Sequence, residues 1–326
     1  MFINKVGDIL ESNSILKKIK NMPVPILPTM VGAATLSNVY QILGYNWIRH
    51  ITMWSSTIIL ICYIIKITLY FDTCKSEYNN TVPASLYAGF TMILMILGSY
   101  YFNYNNFIGK SMWFVGLVLH AIHIIIFTYR NVFLGIDRET FVPSWFVTYN
   151  GIMVSTVVGK PMNEPFIGKI VVYYGIIIFI IILPFMIRRL RREPIKEALF
   201  HTQAILLAPS SLCLVSYLNF IDKPNKMIIY ILYIIIILTL LFILYMLPRF
   251  FSYTFTPGFA GLTFPMAIGI VASIKASSYF DSIGYKSLSY IIKEISGIQI
   301  YITTTIIAFV LYNFINMLVK SYKKVN

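Results

Sequence analysis

Residues 258–273 read GFAGLTFPMAIGIVAS. With its flanks the run is long and apolar enough to cross a bilayer, yet it is not composed like a lipid-facing helix. Gly258, Ala260, Gly261, Ala267, Gly269 and Ala272 are small, and small side chains let helix backbones approach closely. Pro265 sits inside the run and removes a backbone donor, a defect tolerated in a membrane where neighbouring protein re-satisfies the freed groups. Phe264 comes immediately before it. The stretch therefore reads as an inner helix packed among other helices, with an aromatic ring beside a kink.

Composition agrees. Of 326 residues, 58% are hydrophobic and only 12% charged, about half the charge of an ordinary soluble domain. That is a polytopic membrane protein. The net charge of +14 sits between apolar spans, so topology and the membrane surface account for it and nucleic acid is not an expected partner. Cys62, Cys74 and Cys213 have no framework spacing. Residues 1–22 show no signal-peptide pattern. They are expected to form a cytosolic amphipathic segment, ahead of a channel domain over 23–319 and a cytosolic basic tail over 320–326.

Ten candidate spans follow: 24–44, 48–70, 83–102, 107–128, 143–160, 168–187, 201–218, 227–247, 258–277 and 289–318. They alternate in kind. Even-numbered spans are plain runs of Ile, Leu and Tyr. Odd-numbered spans are richer in small and hydroxyl residues, and each holds or begins with a proline: Pro25 and Pro28, Pro83, Pro143, Pro209, Pro265. The alternation predicts an all-α integral membrane protein of ten transmembrane helices, arranged as five helical hairpins. Odd helices would ring a central pore and even helices would shield them from lipid. A ten-helix bundle whose small residues merely pack remains the alternative. Pro28, Pro209 and Pro265 are the expected kinks.

Lys and Arg in the loops set the orientation. With both termini cytosolic, the inside segments carry the larger share, including Lys17, Lys18, Lys20, Arg130, Arg138, Arg249 and the cluster RRLRREPIK. The outside holds Arg49, Lys110, Lys160, Lys169, Lys223, Lys226, Lys275, Lys286 and Lys293. Arg188, Arg189, Arg191 and Arg192 read first as a topology signal and second as a basic cytosolic mouth that concentrates anions.

No odd span carries an acidic or basic residue in its interior, whereas pumps and proton-coupled carriers place ionisable groups at membrane depth. The polar groups on offer are weak: Thr29, Ser37, Asn38 and Thr156, and, as the leading pore-lining candidates, Thr35, Thr148, Asn150, Ser155, Gln203, Ser210, Ser211 and Thr263. Hydroxyls and amides lower the barrier for an anion without trapping it, which conduction requires. The same side chains are also ordinary packing residues that bond backbone carbonyls. His120 and His123 stand one turn apart in an outer span, with no acid or thiol beside them there, and a metal site is not expected. His201 opens the seventh span beside the arginine cluster and could sense pH there. No HExxH, GxSxG or P-loop pattern is present, so neither enzyme chemistry nor a cofactor is expected. Phe264 has two readings: a packed core aromatic, or a hydrophobic plug in a narrow pore.

Three segments, PSWFVTYNGIMVSTVVGK, LLAPSSLCLVSYL and FAGLTFPMAI, resemble the tellurite-resistance/dicarboxylate transporter family, which takes in the slow-type anion channels of plant guard cells. The resemblance runs from the first span to the tenth. It implies five helical hairpins around a pore, a homotrimer with one pore per protomer in the plasma membrane, and a gate phenylalanine in the ninth helix, at the position of Phe264. It implies passage of small anions of the chloride and nitrate class, or carriage of C4-dicarboxylate, sulfite or tellurite-type anions. Membrane lipid and the anions themselves are the expected partners.

Overall fold

The computed structural model describes residues 14–323, with side chains over 15–319. Residues 1–13 of the N-terminal segment and the side chains of the 320–326 tail lie outside this description. Every regular element among the described residues is helical. Helix α1 (Ser14–Lys20) is the described part of the amphipathic segment, and it lies against α3 and α14. The helices that follow are α2 (Ile26–Ile42), α3 (Asn46–Leu69), α4 (Phe71–Tyr78), α5 (Thr81–Leu86), α6 (Ala88–Phe102), α7 (Asn106–Thr128), α8 (Trp145–Tyr149) and α9 (Val154–Val158). The remainder are α10 (Pro165–Arg192), α11 (Leu207–Phe220), α12 (Lys226–Phe250), α13 (Thr263–Ser282) and α14 (Lys286–Lys323).

Eight helical stretches among the described residues are long and apolar enough to cross a membrane. Burial divides them as composition does. The apolar windows of α3, α7, α10, α12 and α14 are 28–33% buried, whereas those of Thr81–Phe102, Glu197–Phe220 and Pro257–Ser282 are 72–78% buried. Two expected spans fall short of a continuous crossing. Helix α2 has 17 residues, about 26 Å of rise. The fifth span is broken into α8, a 3₁₀ turn at Gly151–Met153, and α9.

The buried segments touch in a closed order: α2 packs on α6, α6 on α9, α9 on α11, α11 on α13, and α13 back on α2. The exposed helices lie outside this circuit, α3 on α2, α7 on α6, α10 and α12 on α11, and α14 on α13.

Four of the prolines share one local position. Pro28, Pro83, Pro209 and Pro265 are each the third residue of an α-helix. In the first turn the missing N–H has no intrahelical acceptor to lose, so the ring costs no hydrogen bond. Pro209 and Pro265 follow 3₁₀ segments, Glu197–Leu206 and Pro257–Leu262. At these two sites the chain changes from the tighter to the looser helix, so neither proline is set in the middle of one α-helix. A buried clasp holds the chain entering α2. Lys66 Nζ donates to Met22 O at 2.7 Å and pairs with Glu77 at 2.7 Å, while the Tyr63 hydroxyl donates to Pro23 O at 2.8 Å.

Candidate functional site

A cavity of about 280 Å³ lies where the buried helices end. Its walls are single stripes of those helices. Helix α2 contributes Thr35, Asn38, Val39 and Ile42, spaced i, i+3, i+4, i+7 along one face. Helix α9 contributes Val154, Val157 and Val158, and α6 contributes Ile96 and Ser99. Helix α13 contributes Phe264, Val271, Ile274 and Lys275, of which Phe264, Val271 and Lys275 share one face, because seven and eleven residues each return close to a whole number of turns. The walls are aliphatic with scattered hydroxyl and amide groups.

Phe264 is the deepest of the α13 lining residues along the helix, 5% exposed and packed into the core. Its seat depends on Gly32. A β-carbon at Gly32 would stand 2.6 Å from the Phe264 backbone nitrogen and 2.8 Å from the Thr263 carbonyl carbon. Only a glycine lets α2 approach the start of α13 this closely. The Thr263 hydroxyl bonds Ala260 O at 2.8 Å.

Both cations of the cavity lie above the ring, toward the helix ends. Arg49 reaches in from α3. It donates to the Gln41 side chain and lies 5.7 Å from the Tyr100 ring centroid, and its buried Nε has no partner among the described residues. Lys275 is half-buried on α13, about two turns before Ser282. None of the ion pairs among the described residues includes Arg49 or Lys275. Asn38 Oδ1 is likewise buried without a partner among those residues. The cavity thus joins an apolar floor to a rim of uncompensated positive charge.

Of the pore-lining candidates, Thr35 lines this cavity and the others do not. Thr35 itself donates to Val31 O at 2.8 Å. The Ser155, Ser210 and Ser211 hydroxyls bond carbonyls three or four residues back in their own helices. Gln203 bonds Phe200 O at 3.1 Å, and Asn150 Nδ2 donates to Gly175 O of α10 at 2.9 Å. Thr148 belongs to a histidine network. His120 Nε2 pairs with Thr148 O at 2.9 Å and its Nδ1 with the Thr91 hydroxyl at 2.6 Å. His123 bridges the Thr148 hydroxyl at 3.2 Å and the Tyr78 hydroxyl at 2.8 Å. Burial pushes the Tyr78 phenol up to about 12 against the opposing charge of Arg130, so it stays a neutral partner. The His120 bond satisfies the Thr148 carbonyl in the last turn of α8, next to the break in the fifth span. No group of three or more potential metal ligands forms among the described residues. His201 stacks on Phe259 at 3.8 Å between ring centroids and pairs with Phe250 O at 3.0 Å.

Arg188, Arg189 and Arg192 line a different and larger cavity between α10, α7 and α8, and Arg191 lines a groove beside it. None of the four touches the cavity above Phe264. Sequence reasoning had left Arg49 and Lys275 among the exterior charges. The signal for Lys275 was its spacing of eleven from Phe264. For Arg49, on an outer helix, no such signal exists.

A closed circuit of buried helices, screened by exposed ones and holding an apolar, cation-rimmed cavity, defines a multi-pass membrane protein of the channel or transporter class. A family model of voltage-dependent anion channels, SLAC1, matches residues 21–318, and the chain belongs to that family. Its members are channels and transporters rather than enzymes. No match is found among curated proteins.

Proposed function

We propose that the chain is an anion channel or channel-like transporter that passes small anions of the chloride and nitrate class through an uncharged pore occluded by Phe264. The observation that carries this reading is the Phe264 ring at the deep end of a cavity built by α2, α6, α9 and α13, with Arg49 and Lys275 at its rim. The rim draws anions in; the aliphatic walls and single hydroxyls hold them weakly enough to leave. The closed contact order among buried segments supports ten transmembrane passages as five hairpins, with α2 and the broken α8–α9 unit as two of the inner ones. The bias of Lys and Arg supports cytosolic termini, and a plasma-membrane location goes with the channel reading. Exposed isoleucine-rich faces on α10 and α12 leave room for a homotrimer.

Arg49 supports a second reading. A buried guanidinium nitrogen without a partner is suited to a carboxylate or oxo-anion, which it binds in a directed way. A carrier for C4-dicarboxylate, sulfite or tellurite-type anions would use it. Currents across planar bilayers decide between the two, comparing wild type with Phe264→Ala in chloride, nitrate and malate. Conductance that scales with driving force and follows chloride or nitrate supports the channel. Saturable malate uptake dependent on a proton gradient, without current, refutes it.

A further inference from the structure

The largest cavity of the molecule among those described is a lateral groove of about 930 Å³ along α10. One face of that helix lines it at Tyr174, Ile178, Ile181, Phe185, Arg188 and Arg192, spaced by three, four or seven residues so that all point the same way. From Tyr174 to Arg192 the stripe runs about 27 Å, close to the thickness of a bilayer's hydrocarbon core. Its first part is apolar and its last turn is cationic. Ile181 and Phe185 are more than half exposed, so the groove opens sideways.

The charges at its end are uncompensated. Arg138, Arg188, Arg189 and Arg192 line it with one acidic side chain, Glu193. Arg189 is committed to structure, donating to Arg138 O at 3.0 Å and Glu193 O at 2.6 Å. The side chains of Arg138, Arg188 and Arg192 make no hydrogen bond or ion pair among the described residues. A large apolar space at membrane depth does not hold water, so something apolar fills it. Three unpaired guanidinium groups at the same end ask for a phosphate.

We propose that this groove is a binding site for an anionic phospholipid, with an acyl chain along the apolar stripe of α10 and the headgroup phosphate among Arg138, Arg188 and Arg192. The site is separate from the cavity above Phe264 and does not depend on what passes there. It assigns the arginine cluster to the lipid leaflet rather than to a mouth of the pore.

Native mass spectrometry of the purified protein tests this, with palmitoyl-oleoyl phosphatidylglycerol titrated against phosphatidylcholine of the same chains. The expected result is a clear preference for phosphatidylglycerol. Each arginine contributes about fivefold, so Arg138→Gln, Arg188→Gln and Arg192→Gln together weaken phosphatidylglycerol binding about a hundredfold, and weaken phosphatidylcholine, whose choline cation cancels its phosphate charge, much less. Arg189 is left in place because it holds the backbone. Ile178→Trp, which fills the apolar part, weakens both lipids. Equal binding of the two lipids by wild type, or an unchanged preference in the triple variant, overturns the proposal. So does competition by free glycerol phosphate as strong as by the lipid, which would make this a soluble-anion site. Efficient disulfide dimerisation of Ile181→Cys would show instead that a second copy of the chain covers the groove.

Discussion

Replacing Phe264 with alanine should convert a nearly closed protein into an open one, and the packing gives the size of the change. Fully burying a phenylalanine side chain stabilises it by about 1.5–3 kcal/mol. Phe264 is 5% exposed, so moving the ring out of the path forfeits most of that. At 1.4 kcal/mol per decade, the open rotamer is then populated between about one part in ten and one part in a hundred and fifty. Phe264→Ala should raise anion conductance by the inverse, about 10- to 150-fold, with Phe264→Leu between. The folding cost should fall at or below the lower end of the roughly 3–5 kcal/mol for core phenylalanines, because one side of the ring already borders a cavity. Single-channel recording in planar bilayers reads the conductance, and size-exclusion profile and thermal midpoint in detergent show that the variant is folded. A folded, monodisperse Phe264→Ala protein with wild-type conductance would refute the plug and place the barrier elsewhere along the circuit.

Three further outcomes follow from the same geometry. Gly32→Ala sets a β-carbon 2.6 Å from backbone at Phe264; it should destabilise the protein by about 1–3 kcal/mol, seen in the thermal midpoint, and raise the leak current by shifting the ring's seat. Arg49→Gln and Lys275→Gln should each lower anion current in dilute salt, and the deficit should shrink toward molar salt, where the screening length falls to about 3 Å; a deficit independent of ionic strength would mean direct ligation rather than attraction at the rim. His120→Ala should cost about 1–3 kcal/mol by stranding the Thr148 carbonyl, while the Thr91 hydroxyl keeps its bond to Ala88 O, with the loss read in detergent melting and little change in ion selectivity.

The alternation of plain and small-residue spans was legible because burial acts on whole helices. The 28–33% and 72–78% groups are the same two classes that composition separates. Proline positions were legible as markers, though not as first-turn residues, because the 3₁₀ segments before Pro209 and Pro265 carry no compositional sign. The polar candidates were not legible as a set. A serine or threonine in a helix always has a carbonyl of its own within reach, and whether it also faces a lumen depends on helix rotation. Ser155, Ser210 and Ser211 took the local partner. The carbonyl freed beside the break in the fifth span is met by His120 from another helix, a long-range pairing that no local pattern announces.

Where the charges lie argues for conduction over tight binding. Arg49 and Lys275 stand at the cavity rim, and the walls between them and Phe264 are valine, isoleucine and single hydroxyl or amide groups. A coupled carrier needs an ionisable group that changes state with its cargo, placed where cargo and ion meet. The buried His120 and His123 do not line this cavity, and their ring nitrogens face Thr91, Thr148 and Tyr78 instead. On the channel reading proposed above, Arg49 and Lys275 would raise the local anion concentration at the rim, above a ring whose departure would cost only the few kcal/mol of its own burial. Such a barrier would be crossed by thermal motion or lowered by a shift of α2 against α13 at Gly32, where the two backbones meet most closely, and it would reset without any coupled ion.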